Sequence, residues 1–453
     1  MNIQIVNWQL KLLDKLISKE IGVSIFGMGY VGLPIAVNAS ETLKNLIYGI
    51  EISDSKLQLL KSAKSYIDDI SNEELSHAIT NGVVFTNNVK EAITNSSISI
   101  ICVPTPVDNA GFPNLQYIFQ VAASIASEIK AKKDSHIVVL ESTTYPTTTE
   151  GEVNQIFVDA GLLLHQDYEL CFSPERISPG DKSFNLTNIP KILGTTSDDS
   201  YQLIKYFYEE IIGTTIVKAS SPRAAEMTKL FENIFRQVNI ALVNELAILS
   251  EKMQIDMFEV INLAATKPFA FLAHYPGPGL GGHCIPVDPY YLSYIAKKYH
   301  SSTNFIDLAS QINSQMTDHT IKLIQLALNR VNKSYTASTI GILGYSYKPN
   351  IMDIRNSPAI PIINSLKKLG ANILICDDII ESNPLLTTND LDYVLNKSDV
   401  VVIITPHNYF DWTKIMNNLR PSQPIVDTRG VIPYTQFRPI DVGLGRPIDE
   451  YQF

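Results

Sequence analysis

From residue 21 onward the chain alternates apolar runs of strand length with stretches of helical periodicity, and nothing else in it restricts the fold so strongly. The runs are Ile21 to Phe26, Leu46 to Ile50, Ile98 to Val103, His136 to Leu140 and Tyr168 to Phe172. Strands separated by helices must be joined by crossovers, so the expected fold is α/β with a parallel, doubly wound sheet. The alternation stops near residue 217. Behind Ser221-Pro222, a helix start with proline in the first turn, helical periodicity runs from about Arg223 to Met253. At about 1.5 Å per residue this is a rod of roughly 45 Å, a length that links domains or forms a subunit contact. Further helical patterns reach Val331, and alternation then resumes with Thr339 to Leu343, Ala371 to Cys376, Val400 to Ile404 and Ile425 to Val426. The expected organisation is an N-terminal extension over 1–20, an α/β domain over 21–216, a helical domain over 217–335 and a smaller Rossmann-like domain over 336–453. Two doubly wound domains are thus joined by a central helical one. No 20 to 50 residue repeat interrupts this order.

The formal net charge is −10, with a pI near 5.4, which argues against nucleic acid or an anionic membrane as the main partner. The four cysteines, Cys102, Cys171, Cys284 and Cys376, show no CxxC spacing, so neither a disulfide framework nor a metal site is expected. A reducing cytoplasm fits them. No run approaches the roughly 18 apolar residues of a membrane span, and no basic segment followed by an apolar core opens the chain. Residues 1–20 place Val6, Leu10, Leu13, Leu16 and Ile17 at helical spacing, with Lys11, Lys15 and Lys19 recurring every fourth residue. Two readings stand: a helix docked on the protein, or an anchor on a membrane surface.

Gly27-Met28-Gly29-Tyr30-Val31-Gly32 follows the first strand and opens a helix, so its amides and the helix dipole would face a pyrophosphate. Glu51 stands about 20 residues further on, where a carboxylate accepts from ribose hydroxyls and repels a 2′-phosphate. NAD is therefore expected rather than NADP. The bland alternative for Glu51 is a solvated strand end. Pro104 and Thr105, at one strand end, and the Glu141 to Pro146 stretch, at the next, lie where ligands of open α/β sheets sit. Turn chemistry alone is the competing explanation.

Gly281 to Pro289 sets Cys284 beside two glycines, with Asp288 four residues on. The glycines would admit a substrate close to the backbone, and Asp288 would manage protons or water. With a nicotinamide cofactor, a cysteine at a carbonyl suggests oxidation through a thioester. In the long helix Lys229, Asn233 and Arg236 are spaced by four and three and share a face. Polar residues at that spacing often form a solvated stripe, but the neighbours Leu230, Ile234, Ala241 and Leu242 suggest burial, which would suit an oxyanion.

These residues and their order resemble the UDP-glucose/GDP-mannose dehydrogenase family of nucleotide-sugar 6-dehydrogenases. The motifs are Gly27 to Pro34, Val103 to Pro106, Glu141 to Thr143, Phe172 to Arg176, Ala225 to Lys229 with Asn233, the Cys284 loop, and Lys348-Pro349 running to Asp353 and Arg355. The resemblance implies a four-electron oxidation of C6 of a UDP-sugar with two NAD per turnover. Cys284 would form a thiohemiacetal and then a thioester; Lys229 and Asn233 would stabilise the oxyanion, Asp288 would assist hydrolysis, and Thr143 with Glu175 would position water. A free thiol titrates near about 8.5, and nearby Lys229 would favour its thiolate. The resemblance assigns substrate contacts to Glu175, Arg176, Lys229, Asn233, Arg236, the Phe271 to Gly279 loop with Tyr275, Gly277 and Gly279, Gly281, and Lys348 as a diphosphate ligand. Thr143 joins the cofactor contacts, as does Arg355, near or across a subunit interface. A homodimer through the long helix is implied. Arg429 is equally a surface salt bridge or a ligand contact.

His283 and Val287 resemble the UDP-N-acetylhexosamine branch, which puts UDP-N-acetylglucosamine first, UDP-N-acetylmannosamine next and UDP-glucose behind them. Thr147, and the pair Thr195-Thr196, stand where the family usually has glycine, so unusual loop geometry is expected there. A two-electron 3-hydroxyacid dehydrogenase would share the Rossmann domain and the lysine-asparagine pair but would need neither Cys284 nor the last domain. A catalytically retired nucleotide-sugar binding protein is the other rival.

Overall fold

The computed structural model describes residues 7–44, 46–67, 69–108, 111–176, 186–282, 284–380 and 390–448. The chain forms two compact units, Met1–Glu232 with Tyr290–Ser301, and Asn233–Pro289 with Ser302–Phe453. In the first, β1 (Val23–Phe26), β2 (Ile47–Ile50), β3 (Val84–Thr86), β4 (Ile98–Ile101), β5 (His136–Leu140), β6 (Tyr168–Phe172), β7 (Lys191–Thr195) and β8 (Ile216–Lys218) form one sheet in the order β3-β2-β1-β4-β5-β6-β7-β8. Neighbours are parallel except β6 and β7, which run antiparallel through Cys171 to Thr195 and Phe172 to Gly194. Every residue of β1, β4, β5 and β6 is buried, the mark of a sheet covered on both faces.

The second unit holds β9 (Thr339–Leu343), β10 (Asn372–Cys376), β11 (Val400–Ile403), β12 (Ile425–Asp427) and β13 (Val442–Gly443), all parallel, in the order β10-β9-β11-β12-β13. The long helix spans Pro222–Lys252, and the helices Met257–Ala265 and Asn304–Asn329 belong with the second unit. Five expected strands are shorter at one end: β1 starts at Val23, β2 at Ile47 and β10 at Asn372, while β4 stops at Ile101 and β11 at Ile403. β3, β7, β8 and β13 were not legible in the sequence. Strands of two or three residues carry no periodicity, and β7 opens on a buried lysine and contains a glycine.

The helix Asn7–Ile17 docks on the first unit. Leu12 and Leu16 enter its core, Trp8 and Leu13 pack beside them, and Gln9 Nε2 donates to the buried Glu169 Oε1 at 3.3 Å. Lys11 and Lys15 face outward with Leu10 and Ile17. Of the two readings for this segment, the docked helix holds over the described residues; Val6 lies outside them.

The threonines at the expected glycine positions behave differently from one another. Thr147 has φ of 84°, a left-handed conformation that strains a β-branched residue. Thr195 and Thr196 instead sit at the end of β7 and use their hydroxyls, Thr195 to the Ser197 carbonyl at 2.7 Å and Thr196 to Glu169 Oε2 at 2.9 Å.

Candidate functional site

In the first unit the glycine turn separates what the fold requires from what a ligand would require. Gly27 has φ of 93°, and a Cβ on it would lie 2.7 Å from the Cys102 carbonyl oxygen. Gly32 opens the helix Gly32–Ser40, and a Cβ there would lie 2.1 Å from the Gly27 carbonyl oxygen. Gly29 faces open space, with nothing within 4 Å of its Cβ position. Unlike Gly27 and Gly32, its lack of a side chain is not required by any neighbouring protein atom, which leaves room for a group such as the pyrophosphate of dinucleotide turns. The Met28 carbonyl accepts from the Tyr66 hydroxyl at 2.5 Å, and burial raises that phenol above its ordinary range. Tyr30 and Val31 complete the turn. Glu51 directly follows β2 and is buried; its Oε1 accepts from the Ser53 amide at 2.9 Å. The solvated strand end is thereby excluded. A cradle that side chains would fill, beside a buried carboxylate, fits a dinucleotide.

Pro104 and Thr105 follow β4, and Thr143, half-buried, follows β5. Ser142 ties the two strand ends together, donating to the Val103 carbonyl at 2.8 Å. The Tyr291 hydroxyl donates to the Thr105 carbonyl at 2.7 Å. Behind Thr143, buried Glu141 accepts from Lys191 Nζ at 2.8 Å and from the Tyr208 hydroxyl. On the long helix, buried Glu226 holds the strained Thr147 loop: Oε2 accepts from the Thr147 amide at 2.6 Å, and Oε1 from the Thr149 amide at 2.9 Å and hydroxyl at 2.7 Å. Burial raises its carboxyl to about 7, against these bonds. One turn on, Lys229 is buried and its Nζ donates to the Glu175 carbonyl. Arg176 is engaged by Glu232, at 2.6 and 3.3 Å, and by the Pro190 carbonyl at 2.7 Å. Arg236 is exposed, and Leu242, expected to be buried, is 54% exposed.

In the second unit, Asn233 and Asp288 are both buried, and Asn233 Nδ2 donates to Asp288 Oδ2 at 2.5 Å. Asp288 begins the helix Asp288–Lys298, and its amide donates to the Cys284 carbonyl at 2.8 Å, joined by the Val287 amide at 3.0 Å. Cys284 is half-buried. Burial raises the thiols of Cys102, Cys171 and Cys376, the last to about 12. His283 lies outside the described residues. Gly281 and Gly282 are glycines because Tyr347 packs on them: their Cβ positions fall 2.7 and 2.8 Å from its side chain. The close approach expected of a substrate is made here by the protein itself.

Gly277 donates to Asn244 Oδ1 at 3.0 Å, and a Cβ on it would lie 2.4 Å from Arg429 Nη1. Gly279 has φ of 140°, and exposed Tyr275 donates to Asn262 Oδ1 at 2.8 Å. Arg429 is no surface salt bridge. Its Nε donates to the Ile404 carbonyl at 2.7 Å, it makes no ion pair among the described residues, and burial lowers its guanidinium to about 10. Arg355 is exposed and closes on Asp353, with Nε at 3.0 and 2.9 Å from the two carboxylate oxygens.

Sequence reasoning missed the brace beneath Lys348. The Lys348 carbonyl accepts from Ser346 Oγ at 2.9 Å. Fully buried Asp377 Oδ2 accepts from the Tyr345 amide at 2.6 Å, the Ser346 amide at 3.0 Å and His407 Nε2 at 3.0 Å. His407 Nδ1 accepts from the Asn350 amide at 2.9 Å, which fixes the imidazole proton on Nε2. Asp377 directly follows β10 as Glu51 follows β2, and that parallel was the available signal. Tyr291 and Asn356 had none, and Glu226 stood within the Ala225 to Lys229 motif with no role attached to it. Among the described residues no group of three or more histidines, cysteines or carboxylates could hold a metal, and no helix is long and apolar enough to cross a membrane.

Known proteins match along most of the chain. The NAD binding domain of the UDP-glucose/GDP-mannose dehydrogenase family matches residues 21–212, the central domain 223–315 and the UDP binding domain 341–434. Protein CapL of Staphylococcus aureus is 33% identical over 417 residues, covering 90% of this chain and 96% of CapL. The UDP-N-acetyl-D-glucosamine 6-dehydrogenase of Salmonella typhi is 34% identical over 364 residues, covering 80% of this chain and 83% of the relative. The solved UDP-D-ManNAc dehydrogenase of Pyrococcus horikoshii superposes with a TM-score of 0.84 at 30% identity, covering 94% of this chain and 99% of that one.

Proposed function

Because this chain belongs to the UDP-glucose/GDP-mannose dehydrogenase family, we propose that it oxidises C6 of a UDP-N-acetylhexosamine to the uronic acid through a thioester on Cys284. The chain is an NAD-dependent UDP-sugar dehydrogenase with a UDP binding domain. The observation that carries the finer reading is the bonded pair of Asn233 and Asp288, with the Asp288 amide on the Cys284 carbonyl. An oxyanion donor bonded to a carboxylate, on a turn whose backbone is tied to a cysteine, suits acyl chemistry on sulfur.

NAD supplies the hydride acceptor at each of the two oxidations, so two are used per sugar, and the Gly27 to Gly32 turn, Glu51, Pro104, Thr105, Thr143 and Arg355 would hold it. The alcohol first becomes the aldehyde. The Cys284 thiolate then adds to the aldehyde carbon, forming a C–S bond, and Lys229 and Asn233 stabilise the oxygen that gains charge. Loss of the second hydride leaves the thioester. Thr143, Glu175 and Asp288 position water for hydrolysis, which breaks the C–S bond, releases the carboxylate and returns the thiol. Lys348 holds the diphosphate; Arg176, Arg236, Tyr275, Gly277 and Gly279 complete the substrate contacts, while Gly281, packed against Tyr347, shapes the loop instead. The functional domains are 21–216 for NAD, 217–335 for catalysis and dimer formation, and 336–453 for UDP. The dimer partner is a second copy meeting Phe235, Leu242, Leu246 and Leu249, an exposed apolar stripe on one helix that suits a two-fold contact.

Val287 with His283 supports an N-acetylhexosamine rather than glucose; within that branch UDP-N-acetylglucosamine is preferred on the Salmonella typhi relative, and the Pyrococcus horikoshii protein supports the C2 epimer as runner-up. A panel of UDP-sugars, with NADH counted per sugar consumed, tests the whole reading. Two NADH and the highest kcat/KM with UDP-N-acetylglucosamine are expected. One NADH per sugar removes the thioester, and no NADH with any sugar leaves a binding protein.

A further inference from the structure

We propose that Asn356, with Tyr347 beside it, positions Cys284, so that the segment carrying Lys348 also sets the nucleophile. The inference rests on the reading of Cys284 as the covalent centre. Both backbone groups of Gly282 are satisfied by two successive residues of that segment. The Gly282 amide donates to the Arg355 carbonyl at 3.1 Å, and Asn356 Nδ2 donates to the Gly282 carbonyl at 3.0 Å. Asn356 holds φ of 50°, a left-handed conformation that asparagine tolerates better than most residues, which aims its amide at the loop. The Tyr347 side chain lies against Gly281 and Gly282, so the loop cannot shift toward it without a clash.

One residue separates Gly282 from Cys284. On the far side, the Cys284 carbonyl is fixed by the Val287 and Asp288 amides. The nucleophile is thus pinned locally on one flank and by a distant segment on the other. That segment is itself anchored: Tyr347 donates to the Asp353 carbonyl at 2.9 Å, and Asp377 and His407 hold its root. One hydrogen bond contributes little to overall stability. A nucleophile displaced by about 1 Å, however, loses about a hundredfold in rate. Asn356 should therefore govern turnover rather than folding, and it is a positioning residue.

The test is steady-state and single-turnover kinetics of Asn356→Ala and Asn356→Asp, the second being isosteric but placing a carboxylate oxygen against the Gly282 carbonyl. Both should lose at least about tenfold in kcat for acid formation. The KM for the UDP-sugar and the inhibition constant of UDP should stay within about twofold, with the thermal midpoint and the first NADH of a single turnover retained. The rate at which iodoacetamide alkylates Cys284 should change in both variants. Wild-type kcat in both, or a parallel loss of kcat, UDP affinity and thermal midpoint, overturns the inference. Cys284→Ser is run alongside. If that variant makes acid normally, the covalent reading fails and this inference with it; if it is blocked while the Asn356 variants turn over fully, the inference alone fails.

Discussion

The two sheets start alike and use the same turn in opposite ways. Each places its first strand between two neighbours and leaves it through a glycine of positive φ, Gly27 at 93° and Gly344 at 84°, whose Cβ would strike the backbone just beyond β4 and β11 respectively. Each second strand is followed by a buried acid. Glu51 bonds forward to Ser53 and, among the described residues, makes no hydrogen bond to the glycine turn. Asp377 turns back and fills its own, accepting the Tyr345 and Ser346 amides and the His407 proton. A doubly wound turn offers its amides to a phosphate only if the protein has not already satisfied them. The second sheet has done so, and its proposed anion contact moves outward to Lys348. Topology locates such a turn; the direction of the acid decides whether it is available.

The largest effect should come from emptying the filled turn. Asp377→Ala leaves two amides and His407 without their acceptor and should destabilise the protein by about 3 to 5 kcal/mol in urea unfolding. Glu51→Ala, by contrast, should change stability by under about 1 kcal/mol and weaken NAD binding by tenfold or more in titration calorimetry. Equal losses of stability in the two variants would break the comparison.

Carboxylates of the two units should also give pH dependences of opposite sign. Glu226 titrates near 7 in the folded chain, above its ordinary value of 4.5, so its contribution is full at low pH and is lost as pH rises from about 4.5 to about 7. The loss is about 3 kcal/mol, from 1.36 kcal/mol per pKa unit. Burial alone would raise Asp377, but the His407 contact together with the Tyr345 and Ser346 amides outweighs it and holds the carboxyl below 3.8, so its contribution is lost as pH falls into the acid range. Unfolding free energies of Glu226→Gln and Asp377→Asn across pH should flatten the neutral and the acid limb respectively.

The glycines sharpen the contrast further. Gly344→Ala meets backbone 2.1 Å away and should destabilise the protein by about 2 kcal/mol. Gly29→Ala meets nothing within 4 Å, so thermal melting should be unchanged while NAD affinity falls about tenfold. The smallest effect is expected at Thr147, which adopts the glycine-like conformation without being glycine. Thr147→Gly should raise stability by up to about 1 kcal/mol if relief of strain exceeds the added chain entropy, and a drop in thermal midpoint would show that the Glu226 bonds already hold the loop without strain.

Much of this was legible in the sequence because burial writes itself as apolar periodicity. β5, β6 and β9 fall at the expected residues, and the long helix within one residue at each end. Gly27, Gly32 and Glu51 could be found because a turn, a helix start and a strand end fix their spacing. The Asn233 to Asp288 bond could not, since 55 residues separate its partners and nothing local registers the pairing. Nor could the role of Gly281 and Gly282: a sequence shows that a side chain is absent, not whether Tyr347 or a ligand takes the space. Glu226 reads as an ordinary helical carboxylate until its three acceptor contacts to the Thr147 loop are seen.

The docked helix Asn7–Ile17 carries a practical consequence. The family match begins at Ile21, which invites trimming everything ahead of it before expression. A chain so shortened would strip Leu12 and Leu16 from an otherwise closed core and take one donor from the fully buried Glu169. It should come out of cells largely aggregated, since an uncovered apolar groove beside an under-paired carboxylate invites self-association. These first turns behave as an integral clasp of the cofactor half rather than as a disposable leader.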